Sequence, residues 1–177
     1  MTKRTAVVGI VGVMIAAGGA APRADVVDAG TAGFTVRIVR HVAASPAKVF
    51  ATAIAVDTWW AADHTYSGVA GNLSIEAKPG GCWCEHLVNG GGVKHMEVVF
   101  VDPGKLLRFR GGLGPLQSMA ATGAMTWEFK AAADGTDVTW TYAVTGYTPG
   151  GFEPLAPAVD GVLTSQLVNL KTAAEKP

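Results

Sequence analysis

The sequence predicts an α+β fold, in which a curved antiparallel sheet of about six to seven strands closes around a long C-terminal helix. Three observations support this prediction. Several short segments alternate apolar and polar residues between turns rich in glycine, proline and asparagine. A serine and a proline begin a short helical segment after the first strand. Apolar residues recur at helical spacing near the C-terminus, and only this segment is long enough to cover the sheet.

The first strand is predicted over residues 34–41, because apolar and polar side chains alternate there. Ser45 is a good helix cap and Pro46 is favoured at a first helical position, so a helix is expected over residues 47–55. A second short helix is expected over residues 57–62. These two short helices follow the first strand directly.

The rest of the sheet is expected to be a meander, because the turns between successive strands are short. The clearest alternation lies in the last two strands, where tryptophan and methionine occupy one side. The long helix is predicted from Pro154 to Leu170, with regular packing from Ala158 because Pro157 and Gly161 weaken its first turns. The remaining strands are predicted over residues 72–78, 82–88, 93–101, 106–110, 123–130 and 138–144.

Residues 1–24 have the pattern of a secretory signal peptide. Lys3 and Arg4 precede an uncharged run of apolar and small residues, and this run is shorter than the roughly 20 residues that cross a bilayer. Cleavage after Ala20 and cleavage after Ala24 are both open. We therefore expect a periplasmic or secreted protein with no stable membrane span after processing.

A single domain is expected after this leader. Residues 25–33 are predicted to be a flexible lead-in, residues 34–173 the folded domain and residues 174–177 a tail. Loss of Lys3, Arg4 and Arg23 would reduce the basic residues from 14 to 11 against 14 acidic residues. No cluster of lysine and arginine could neutralise a row of phosphates, so nucleic acid is not an expected partner.

Cys82 and Cys84 are the two cysteines of the chain. On an extended strand their Cα atoms would lie about 6.6 Å apart, at the far limit of disulfide geometry unless a bulge shortens the distance. We therefore predict two free or reversibly oxidised thiols that are redox-sensitive. Cys82, Cys84 and His86 would spread over about 13 Å on a straight strand, too far for one metal ion. No metal site and no cofactor are predicted.

The order of elements and several motifs resemble the START-like SRPBCC superfamily over roughly residues 34–173. The motifs are Ser45-Pro46-Ala47-Lys48-Val49-Phe50, Trp59-Trp60, Gly80-Gly81-Cys82-Trp83 and Val101-Asp102-Pro103-Gly104-Lys105-Leu106. Within the superfamily the chain is most similar to bacterial relatives of the C-terminal domain of activators of the heat-shock-protein-90 ATPase. The resemblance implies a helix-grip fold with a hydrophobic cavity. It implies no single activity, because members bind lipids, polyketides or hormones, and some catalyse cyclisation or hydrolysis.

A small hydrophobic ligand in an internal cavity is the function that we expect. Alternation places Trp83, Glu85 and Leu87 on the inward face of one strand, and His95 shares a face of the next strand with Glu97. A buried carboxylate without a partner tends to become neutral, so Glu85 could be an acid or donate a hydrogen bond to a ligand. The residues predicted to line the cavity are Trp60, Trp83, Glu85, His95, Phe109, Trp127 and Tyr142.

Two alternatives stay open at this point. Glu85 and His95 could be the acid and base of a cyclase or hydrolase on the same fold, if the hairpin register brings them together. The same pair could instead only stabilise the fold. The other alternative is a cochaperone-like interaction module with an unknown protein partner. We expect a binding protein rather than an enzyme.

Overall fold

The computed structural model describes residues 24–177, in which eight strands form one antiparallel sheet. The strands are β1 Ala24–Gly30, β2 Gly33–Val42, β3 Leu73–Ile75, β4 Cys82–His86, β5 Gly92–Asp102, β6 Leu106–Gly111, β7 Ala120–Ala132 and β8 Gly135–Tyr147. Their order across the sheet is β1-β2-β8-β7-β6-β5-β4-β3. Neighbours from β3 to β8 are therefore consecutive in the chain, which confirms the predicted meander.

Two α-helices accompany the sheet, α1 Pro46–Ile54 and α2 Ala156–Ala174. The hydroxyl of Ser45 accepts a hydrogen bond from the backbone N–H of Lys48, so Ser45 caps α1 as expected. Helix α2 packs against β2 and α1. Its buried side chains include Leu163, Leu167 and Leu170. The predicted α+β class with a curved sheet around a C-terminal helix is confirmed. Neither helix in residues 24–177 is long and apolar enough to span a bilayer.

The helix predicted over residues 57–62 is wrong. Two single-turn 3-10 helices, Val56–Thr58 and Ala62–His64, stand in its place. In this irregular segment the indole rings of Trp59 and Trp60 pack edge-to-face, with centroids 5.5 Å apart. The chain leaves the helical conformation at Trp59, where φ is −139°, and each tryptophan is only 5% exposed.

Residues 25–30 were expected to be flexible, but they form most of β1, which is why the sheet has eight strands. Thr31 and Ala32 make a tight turn into β2. Strand β1 has a bulge between Val26 and Asp28, and this irregularity interrupts the alternation that identifies a strand. The proposed signal peptide, residues 1–24, lies outside the described residues except for Ala24.

Helix α2 begins two residues after the predicted start at Pro154 and ends at Ala174. Regular packing was expected only from Ala158 because of Pro157, but Pro157 lies within the first turn of the helix. Proline is tolerated in the first turn of a helix, because the N–H that it lacks has no partner inside the helix there.

A cluster of aromatic rings fills the core between the sheet and the helices. Trp127 and Trp140 lie on neighbouring strands and stack with ring centroids 4.6 Å apart and planes 12° apart. Trp59 packs against both rings, at 6.1 and 5.9 Å. Trp83 continues the cluster from Trp127 toward Trp60, with centroids 5.4 and 5.1 Å apart. The rigid cluster therefore runs from the centre of the core to the edge of the cavity described next.

Candidate functional site

A cavity of about 580 Å³ lies between the sheet and the first half of α2. Pockets that bind small molecules have volumes of about 300–1,000 Å³ and mostly apolar walls. Helix α2 contributes Val159, Val162 and Leu163, and the segment between β6 and β7 contributes Leu113, Leu116 and Met119. The cavity is thus an apolar space with room for a small molecule.

Four of the seven residues that we predicted for the cavity lie on its wall. They are Trp60, Trp83, His95 and Tyr142. Their binding role stays a prediction. Glu85, Phe109 and Trp127 are not on the wall, and their expected position was wrong.

Phe109 and Trp127 belong to the aromatic core rather than to the cavity. Their ring centroids are 4.9 Å apart, and both side chains are fully buried. Trp83 lies against both of them, at 5.4 Å in each case. Trp83 is on the wall of the cavity, so it separates the other two rings from that space. An inward-facing position in a thick aromatic core does not by itself give contact with a ligand.

Glu85 lies behind the cavity wall, and its carboxylate accepts hydrogen bonds from three donors. Its carboxylate accepts hydrogen bonds from the backbone N–H groups of Tyr66, at 3.1 Å, and Ser67. Its Oε2 atom also lies 2.9 Å from His95 Nε2. Glu85 is 1% exposed and His95 is 4% exposed. The predicted encounter of Glu85 and His95 therefore occurs, and the carboxylate also anchors the segment that carries Tyr66.

A β-bulge is what brings His95 to Glu85. Cys84 pairs with Lys94 and Trp83 pairs with Met96, so His95 is the extra residue on β5. The bulge changes the face that the following residues present, and both His95 and Met96 are buried. We expected His95 to share a face with Glu97, and this expectation was wrong because Glu97 pairs with Cys82 on the other face. Regular alternation cannot predict where a bulge interrupts it.

Glu85 is a carboxylate, not the neutral acid that burial without a partner would favour. Burial raises the pKa of a carboxyl group, but hydrogen bonds from Ser67, Tyr66 and His95 outweigh burial and lower the pKa of Glu85 below 4.5. An ionised carboxylate only accepts hydrogen bonds. Glu85 therefore cannot donate a proton or a hydrogen bond to a ligand near neutral pH.

His95 is neutral near pH 7. Burial lowers the pKa of its imidazole below 6.5, although the neighbouring Glu85 carboxylate opposes the shift. The other ring nitrogen, Nδ1, is buried and has no hydrogen-bond partner among residues 24–177. His95 thus places a neutral ring with one unused nitrogen at the edge of an apolar cavity.

The unfolding free energy is expected to decrease as the pH falls below about 6.5. The folded pKa values of His95 and Glu85 lie below 6.5 and 4.5, so the unfolded chain binds these protons at higher pH than the folded protein. Acid therefore favours unfolding through His95 first and through Glu85 at lower pH. Urea unfolding at about pH 7.5 and about pH 5 measures this loss. The variant His95→Asn should lose less unfolding free energy than wild type between about pH 7.5 and about pH 5. An equal loss in both proteins would contradict the lowered pKa of His95.

Tyr66 was not predicted from the sequence, yet it lies at the cavity and joins two segments of its rim. Its hydroxyl donates a hydrogen bond of 2.9 Å to the carbonyl of Gly114, in the segment between β6 and β7. Its ring lies 5.9 Å from the His95 ring. The one sequence feature that could have indicated this role is that Tyr66 is an aromatic residue within a stretch of small and polar residues. The position of Tyr66 depends on its hydrogen bond to Glu85, which lies 19 residues later in the chain. No sequence pattern predicts this contact.

Cys82 and Cys84 form a disulfide, so the prediction of free thiols was wrong. Their Cα atoms are 5.3 Å apart rather than about 6.6 Å, within the usual range for a disulfide. Trp83, between the two cysteines, faces the cavity side. That the two thiols are reversibly oxidised in the cell stays a prediction. In residues 24–177 no three His, Cys, Asp or Glu side chains are grouped to hold a metal ion.

The double variant Cys82→Ser/Cys84→Ser is expected to lower the free energy of unfolding by only about 1–2 kcal/mol. The bond closes a very short loop, and a short loop removes little entropy from the unfolded chain. Guanidinium unfolding of oxidised wild type and variant measures this difference. Wild type under reducing conditions should behave like the variant. A loss above about 4 kcal/mol would show that the bond does more than close the loop.

The curved sheet, the long C-terminal helix and the cavity between them define a START-like protein of the SRPBCC superfamily with a helix-grip fold. More narrowly, the chain belongs to the polyketide cyclase/dehydrase and lipid transport family, whose sequence profile matches residues 33–175. This family points to a domain that binds small hydrophobic ligands. A search of curated proteins finds no match.

Solved structures of the same fold include three informative neighbours. An uncharacterised protein from Rhizobium leguminosarum is 20% identical, with a TM-score of 0.63, over 89% of this chain and 99% of that chain. CalU16 from Micromonospora echinospora is 12% identical, with a TM-score of 0.58, over 89% and 87%. DynU16, from the dynemicin biosynthetic locus, is 20% identical, with a TM-score of 0.55, over 80% of this chain and 47% of its own. At these identities the neighbours establish the fold alone.

Proposed function

We propose that the protein is exported and binds a small hydrophobic molecule in the cavity between α2 and the sheet. The observation that carries this proposal is the cavity of about 580 Å³, whose wall is mostly apolar. The packed tryptophans behind the wall support it, because a rigid wall keeps the cavity open without a ligand. The family description, which includes lipid transport, agrees with a ligand of this kind.

Filling the cavity should abolish binding without unfolding the protein. Val162→Trp places a large ring on the cavity side of α2, whereas Val168→Trp places the same ring at an exposed position of the same helix. The probe is N-phenyl-1-naphthylamine, a neutral dye that fluoresces in apolar surroundings. We expect wild type and Val168→Trp to bind it and Val162→Trp to bind at least about tenfold more weakly. Equal binding by all three proteins would place the dye outside the cavity.

Export is the part of the proposal that rests on residues 1–24. Lys3, Arg4 and the uncharged run after them support a cleaved signal. N-terminal sequencing of protein from the periplasm of a bacterial host should find a start after Ala20 or after Ala24. An intact Met1 on all of the protein, found in the cytoplasm, would contradict export.

A catalytic role is a second candidate, and the contact between Glu85 and His95 favours it. The neutral imidazole could take a proton from a substrate at Nδ1, and the Glu85 carboxylate would stabilise the imidazolium that forms. This corrects the earlier assignment of Glu85 as the acid. The variant His95→Asn should then lose turnover of a polyketide or carbonyl substrate while it still binds the dye. The relation to activators of the heat-shock-protein-90 ATPase, and with it a cochaperone role, stays a prediction.

A further inference from the structure

The polar groups on the cavity wall show which chemical class of ligand the site selects. Most of these groups already have a hydrogen-bond partner within the protein. Tyr142 donates to the carbonyl of Gly111 and accepts from the N–H of Leu113, both at 3.1 Å. Trp60 donates to the carbonyl of His64 at 3.0 Å. Such groups cannot bind a ligand without losing a bond that they have.

Two buried polar atoms of wall residues have no partner within residues 24–177. They are Nδ1 of His95 and the indole Nε1 of Trp83. Buried polar atoms in native proteins are nearly always hydrogen-bonded, so each such exception needs an explanation. The two rings are neighbours, with centroids 6.3 Å apart. Trp127 and Trp140 in the aromatic core also carry indole N–H groups without a partner in the described part of the chain. Of these four residues only Trp83 and His95 line the cavity, so only their atoms have a ligand as a candidate partner.

The role of His95 Nδ1 follows from its bond to Glu85. An ionised carboxylate has no hydrogen to donate, so the 2.9 Å contact requires the hydrogen to be on His95 Nε2. A neutral imidazole carries one hydrogen, and Nδ1 is therefore a bare acceptor. The backbone N–H groups of Tyr66 and Ser67 hold the Glu85 carboxylate in place and so maintain this tautomer.

We infer that the ligand is a hydrophobic molecule with a hydroxyl group, phenolic or alcoholic, that donates a hydrogen bond to His95 Nδ1. The indole N–H of Trp83 is the complementary donor for an oxygen of the same ligand. His95 is then the specificity-determining residue, and Glu85 is a positioning residue that acts through His95. This inference rests on the proposed function, because it needs a ligand in the cavity.

The test compares 1-naphthol with 1-methoxynaphthalene, which has the same rings but no hydroxyl hydrogen. The measured quantity is the ratio of their dissociation constants in each protein, so differences in hydrophobicity cancel between proteins. His95→Gln can keep the donor to Glu85 but lacks an acceptor at the Nδ1 position, whereas His95→Asn keeps an acceptor there. We expect the preference for 1-naphthol to fall about three- to tenfold in His95→Gln and to persist in His95→Asn.

The outcomes separate this inference from the proposed function. An unchanged ratio in all three proteins overturns the role of His95, while binding of N-phenyl-1-naphthylamine still supports a ligand cavity. If wild type binds none of the three probes, the proposed function fails and the ligand class fails with it. A ¹⁵N spectrum of the free protein tests the tautomer without any ligand. Hydrogen on Nε2 supports the inference, and hydrogen on Nδ1 near neutral pH overturns it.

Discussion

Replacement of Glu85 by alanine is expected to lower the free energy of unfolding by about 3–5 kcal/mol. Three donors lose their acceptor at once: the backbone N–H groups of Tyr66 and Ser67, and His95 Nε2. A buried donor that is left unsatisfied costs about 1–3 kcal/mol, so the losses together reach this range. Urea unfolding measures the change, and faster hydrogen exchange at Tyr66 and Ser67 should accompany it.

The matched control is Glu97→Ala. Glu97 also lies in this sheet and contacts Lys94, but its side chain is 44% exposed. Exposed ion pairs contribute about 0–1 kcal/mol, so this variant should change the unfolding free energy by no more than that. If Glu85→Ala were as mild as Glu97→Ala, the carboxylate would not hold the rim of the cavity.

The second large effect is expected from Trp127→Ala, which should lower the free energy of unfolding by about 3–5 kcal/mol. Trp127 is fully buried and packs against Trp59, Trp83, Phe109 and Trp140. Its removal leaves a cavity that these rigid neighbours cannot fill, and the unfilled volume adds to the lost burial. Chemical unfolding measures the loss, and dye binding should weaken because Trp83 loses its support.

Tyr147→Ala is the control for the loss of an aromatic side chain. Tyr147 lies at the end of β8 and is 71% exposed. Substitutions at such positions usually change stability by less than about 0.5 kcal/mol. A loss in Trp127→Ala that is no larger than in Tyr147→Ala would contradict the aromatic core as the support of the cavity.

The sequence predicts the sheet well where local patterns are regular. Strands β7 and β8 alternate without interruption, and the structure pairs them along their whole length. The cap at Ser45 was predictable for the same reason, because it depends on residues that are close in the chain. Strand β1 was missed because its bulge and two aspartates hide the alternation.

The site was only partly predictable, because it depends on contacts between distant segments. Alternation placed Trp83 on the inward face, and the structure puts it on the cavity wall. The pairing of Glu85 with His95 depends on the bulge at His95, and the ionised state of Glu85 depends on Tyr66 and Ser67. No local pattern reports these contacts. The disulfide was missed because a regular extended strand holds such cysteines about 6.6 Å apart, whereas here their Cα atoms are 5.3 Å apart.

The central claim is that a hydrophobic ligand occupies the space between α2 and the sheet. A crystal structure with 1-naphthol tests it most directly. We predict that the naphthalene rings lie between Val162 and Trp83, with the hydroxyl within hydrogen-bond distance of His95 Nδ1. A cavity closed by the protein's own side chains, or naphthol bound only on the outer surface, would contradict the account.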